Sequence, residues 1–96
     1  MEGTGKMIAL PFEFKDKEYC SLIRIKKAPE GYEFHVTVMN GDLERALYGH
    51  HIFALENGVL QARSIVEDRD LCLLQEKLAW EILNYVSQQH QEPSST

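Results

Sequence analysis

Between Ile8 and Val38, apolar and polar residues alternate through three successive runs, and the runs share one phase across both breaks. This pattern constrains the fold more than any other feature, because period-two alternation describes strands with one buried face. In the first run Ile8, Leu10, Phe12 and Phe14 fall on one side; Ala9, Pro11, Glu13 and Lys15 fall on the other. Pro11 has no N–H to donate to a ladder, so this run is expected to be an edge strand or one whose proline nitrogen faces outward. The second run spans Glu18 to Lys27. With Asp16-Lys17 as a two-residue turn, Lys15 faces Glu18, Phe14 faces Tyr19, Phe12 faces Ser21, Leu10 faces Ile23 and Ile8 faces Ile25. A slip by one residue would turn one strand's apolar set to the wrong face.

Ala28-Pro29-Glu30-Gly31 reads as the next turn, with proline presetting φ and glycine free to take a positive φ. The third run, Tyr32 to Met39, alternates Tyr32, Phe34, Val36 and Val38 against Glu33, His35, Thr37 and Met39. Lys27 opposite Tyr32 sets Phe34 across from Ile25 and Val36 across from Ile23. Both hairpins then agree on one apolar face, as an antiparallel meander requires.

A three-stranded sheet with one apolar face needs a cover, and Ser64 to Gln89 is suited to supply it as one long helix. Ser64 and Glu67 stand three apart, the spacing of a reciprocal N-terminal cap. At about 100° per residue, Leu71, Cys72, Leu74, Leu78, Ala79, Ile82, Leu83, Tyr85 and Val86 form a half-cylinder aimed at the sheet. Gln75 is the polar residue inside that arc and is expected to bond a backbone group. Leu73 and Trp80, seven residues apart, fall on the opposite side among Glu76, Lys77 and Asn84.

Between meander and helix the pattern is mixed. Asn40-Gly41-Asp42 breaks the third strand. Residues 43–48 fit a short helix capped by Asp42 and stopped at Gly49, with Leu43, Ala46 and Leu47 facing inward; a strand is the competing assignment. Asn57-Gly58 between apolar runs is a strong hairpin signal. It pairs Glu56 with Val59, Leu55 with Leu60 and Phe53 with Ala62. The expected fold class is therefore α+β: an antiparallel β-meander of four to five strands, one face covered by a long C-terminal helix. The 96 residues make a single domain, with polar tails at 1–6 and 91–96 expected to be disordered.

Charge and chemistry narrow the function by exclusion. A net charge of −5 argues against a nucleic-acid partner held through phosphates. The basic residues Lys15, Lys17, Arg24, Lys26 and Lys27 crowd the first hairpins, whereas Glu67, Asp68, Asp70, Glu76 and Glu81 crowd the helix. The two segments are expected to lie near each other or to face water. No apolar run approaches the ~20 residues of a membrane span, and the first residues lack the apolar stretch of a secretion signal. The expectation is a cytoplasmic protein with no membrane partner. Cys20 and Cys72 match no metal or redox spacing and are read as reduced, buried, small apolar residues.

The four histidines are His35, His50, His51 and His90. Adjacent histidines in a strand point to opposite faces, so His50 and His51 do not chelate one ion together. No catalytic, cofactor-binding or metal-ligating constellation is recognisable, and no cofactor is expected. Two readings remain. Leu73 and Trp80 form a candidate interface, since tryptophan is enriched at interface centres. This favours a non-enzymatic interaction module, homodimeric or binding another protein, with Leu73 and Trp80, or the far face of the sheet, as the contact. The alternative is a small-ligand binder or minor enzyme with a pocket between sheet and helix near His35, Tyr48, His50 and His51.

Overall fold

The structure is a computed structural model and describes residues 6–64 and 66–90, with backbone only for residues 89 and 90. The chain runs β1 (Lys6–Phe14), β2 (Lys17–Ala28), β3 (Gly31–Val38), α1 (Gly41–Ala46), β4 (Ile52–Glu56), β5 (Val59–Ala62) and α2 (Arg69–His90). The five strands form one antiparallel sheet in the order β1-β2-β3-β4-β5, with α2 packed on one face. The fold is α+β, a meander closed by its C-terminal helix. The tails expected to be disordered, 1–6 and 91–96, lie outside the described residues apart from Lys6, which opens β1.

The first hairpin differs from its expected register by two residues. Phe12 faces Tyr19, Leu10 faces Ser21 and Ile8 faces Ile23. The turn is Lys15-Asp16, both at positive φ (53° and 65°), as a two-residue hairpin whose twist matches its strands requires. A shift by two preserves every residue's face, so alternation alone does not separate the two registers; the turn does. Ser21 thereby lies under β1 and is buried, its hydroxyl donating to the Leu10 carbonyl at 2.8 Å. The second hairpin has the expected pairing, Lys27 with Tyr32, Ile25 with Phe34 and Ile23 with Val36. So does the last, through Asn57 and Gly58, with Leu55 facing Leu60 and Phe53 facing Ala62.

Residues 41–46 are helical, and the cap is Asn40 rather than Asp42. The Asn40 side-chain oxygen accepts from the Asp42 and Leu43 N–H groups at 3.0 and 3.1 Å. Leu47, just past the helix, is buried, Leu43 packs on the core, Ala46 is exposed, and Gly49 takes a positive φ of 80°. Glu44 turns back to accept from the Val38 N–H at 2.9 Å, satisfying a donor where β3 leaves the ladder.

Likewise α2 begins later than the Ser64–Glu67 pattern suggests. Asp68 caps it, accepting from the Leu71 N–H at 3.0 Å. Ser64 is engaged elsewhere, its hydroxyl 2.7 Å from His50 Nδ1. The helix buries Leu74, Gln75, Leu78 and Ile82 against Phe12, Ile23, Phe34, Val36, Val38 and Phe53. It touches both edge strands, β1 and β5. Leu83 was expected in the buried arc and is 42% exposed; one residue past Ile82, it is rotated about 100° off the core face.

Candidate functional site

The outward side of α2 carries the first candidate surface. Leu73 is 45% and Trp80 58% exposed. They lie opposite the core-facing line Leu71, Leu74, Leu78, Ile82. Leu83, three residues past Trp80, lies near it on the helix surface. Lys77 holds its ammonium 5.2 Å from the centre of the Trp80 ring and 3.5 Å from Glu81. Carboxylate and indole together position the lysine, whose stem covers part of the ring. The apolar stripe is thus Leu73, Trp80 and Leu83, with one cation laid across it.

The second candidate set is divided by the fold. His35 lies on the face of the sheet that α2 leaves open, opposite Arg24 and Ile52 in the ladder. Its ring is 6.1 Å from that of His51, edge to face. The two histidines line a hollow of about 290 Å³ with Met7, Leu22, Arg24, Lys26 and Thr37. His50 instead faces Ser64, and its carbonyl accepts from the side chain of Gln75 on α2 at 3.0 Å. Tyr48 is 85% exposed. The structure brings His35 and His51 together and sets His50 and Tyr48 apart from them. Among the described residues, no three of His, Cys, Asp and Glu are grouped as a metal ion would need.

Electrostatics at the hollow centre on Glu33. It accepts from, or shares a proton with, His35 Nε2 at 3.0 Å, and Arg63 approaches within 3.5 Å. The His35 hydrogen bond, with further help from Arg63 and Lys26, holds the Glu33 carboxyl below the ordinary glutamate range. Arg63 also reaches Glu56 at 4.0 Å. The basic hairpin and the acidic helix, expected to lie near each other or to face water, are joined among the described residues by one exposed ion pair, Lys15 with Asp70 at 2.9 Å.

The far face of the sheet, the other contact surface expected from the sequence, is this open face. Met7, Ala9, Pro11, Cys20, Leu22, Thr37, Met39, Ile52 and Ala54 share it. Cys20, expected to be buried, is exposed there, because even-numbered β2 residues face away from α2; Cys72 is half-buried. The signal was present in the second phase of each alternating run, which is less polar than a solvated face needs to be. The chain matches no known protein family, no curated protein and no solved structure. No helix among the described residues is long and apolar enough to cross a membrane.

Proposed function

We propose that the chain is a non-enzymatic interaction module, a homodimer or a subunit that binds another protein, and that α2 makes the contact through Leu73 and Trp80. The observation that carries this reading is the exposure of both side chains on the side of α2 opposite the core. The core takes Leu74, Leu78 and Ile82 from this helix, and Leu73 and Trp80 lie outside it. An exposed leucine alone carries little weight. A leucine, the sole tryptophan and a second leucine exposed on one helix side are the kind of side chains that partners cover.

The alternative, a small-ligand site at the histidines, has less support, because His50 and Tyr48 lie away from the His35–His51 hollow. The test is sedimentation of the wild type beside a Leu73→Ala/Trp80→Ala variant, with urea denaturation of both. Self-association lost in the variant at unchanged stability supports the reading. Monomers in both cases, equally stable, contradict the homodimer.

A further inference from the structure

We propose that the open face of the sheet is a self-complementary contact surface for a second copy of this chain, related by a two-fold axis that crosses β2 at Ser21. Resting on the reading of the chain as an interaction module, this assigns a second surface, distinct from the Leu73–Trp80 stripe.

Three observations along β2 support it. At one end, Glu13 and Glu18 face each other directly across the β1–β2 ladder, both exposed and both on the open face. Like charges so placed destabilise a hairpin, and Lys15 does not relieve them because it is paired with Asp70. At the other end of β2, Arg24 and Lys26 are exposed on the same face. There Lys26 faces Glu33 across the β2–β3 ladder, and Arg63 and His35 engage Glu33 as well, with Arg63 also reaching Glu56, so this end is positive on balance and Arg24 is its cation without an ion-pair partner among the described residues. Between the two ends the face is apolar: Ala9 and Pro11 on β1, Cys20 and Leu22 on β2, with Met7 and Met39, 51% and 61% exposed, at its flanks.

The order along β2 is thus acidic, apolar, basic. Glu18 and Arg24 are six residues apart, about 20 Å along a strand. A two-fold axis lying between two stacked sheets, perpendicular to the strands, reverses that order in the second copy. Each Glu18 then stands over the other copy's Arg24, with Glu13 beside it, and the apolar centres meet. Sheets stack about 10 Å apart, a gap that glutamate and arginine side chains bridge from both sides. A different protein could match this face, but only a copy of the chain is guaranteed to carry both halves of the pattern in the right order. The two methionines suit such a contact because their unbranched side chains fill irregular gaps.

The test uses two charge-reversed chains. Glu13→Lys/Glu18→Lys is basic at both ends of the face, and Arg24→Glu/Lys26→Glu is acidic at both. All four positions are exposed, and thermal melts check that each variant folds. In sedimentation equilibrium each variant alone should self-associate at least tenfold more weakly than the wild type. An equimolar mixture should recover dimers, and raising the salt towards 1 M should weaken both the wild type and the mixture. The proposal is overturned if either variant dimerises as tightly as the wild type, if the mixture stays monomeric, or if the wild type never associates. Dimers that survive charge reversal but are lost in Leu73→Ala/Trp80→Ala would leave the α2 stripe as the contact and remove the sheet face. The reverse result would leave the sheet face and remove the stripe.

Discussion

The side-chain amide of Gln75 donates a 3.0 Å hydrogen bond to the main-chain carbonyl of His50. Gln75 is 7% exposed, set among Leu71, Leu74 and Leu78 on the core face of α2. Its amide ties the helix to the segment that leads into β4, beside the His50–Ser64 contact. Replacing it by leucine keeps the volume and leaves the carbonyl without this partner. Gln75→Leu is expected to cost about 1–2 kcal/mol, read from the urea midpoint.

Gly31 makes a sharper prediction. It sits at φ 157°, opposite Glu56 in the ladder, and a β-carbon built there would lie 1.9 Å from the Leu55 carbonyl oxygen. A backbone carbonyl inside a sheet does not move aside cheaply. Gly31→Ala should cost roughly 2 kcal/mol or more and weaken amide protection between β3 and β4. Gly49→Ala and Gly58→Ala, at φ near 80° with open space around them, should cost only the backbone strain, about 1–2 kcal/mol.

The start of α2 separates two candidate caps. Asp68→Ala removes the acceptor of the Leu71 N–H and should cost about 1 kcal/mol, with faster hydrogen exchange confined to the first turn. Ser64→Ala should leave that turn protected and alter the His50 imidazole resonance instead.

These caps also show what alternation and spacing disclose. The two later hairpins were legible to the residue, because Pro29-Glu30-Gly31 and Asn57-Gly58 are turn sequences of definite geometry. The first hairpin was legible in face but not in register, since Lys15-Asp16 carries no such signature and side-chain period two leaves shifts of two degenerate. Ser64 and Glu67 have cap spacing, yet Asp68 stands closer to the first residue the core needs, Leu71, and Ser64 is drawn to His50, far away in sequence. For the candidate surfaces, the exposure of Leu73 and Trp80 followed from helical phase alone. Grouping His35 with the adjacent histidines was also expected, but that it meets His51 rather than His50 depends on how the chain enters β4.

Acid should act through Glu33. Its carboxyl is held below the ordinary glutamate range, first by the hydrogen bond from His35 and then by Arg63 and Lys26. A depressed folded-state pKa means that the stabilisation is fully present above the unfolded value and is lost as pH falls through the folded one. Urea midpoints should therefore show wild type more stable than Glu33→Gln at neutral pH, with the difference closing below the ordinary glutamate range. A gap independent of pH would contradict that origin.

Trp80 reports on its own surroundings. It is the sole tryptophan and is 58% exposed, so the isolated chain should emit at the long wavelengths of a hydrated indole. Emission should move to shorter wavelength when the stripe is covered. Trp80→Ala should change stability by no more than about 0.5 kcal/mol, because the ring lies outside the core.

The most direct measurement is the solution mass of the wild-type chain by sedimentation equilibrium over a wide concentration range at low salt. An interaction module that pairs with itself predicts a mass rising from 11.1 kDa towards twice that value as concentration increases. A mass fixed at 11.1 kDa throughout would contradict it.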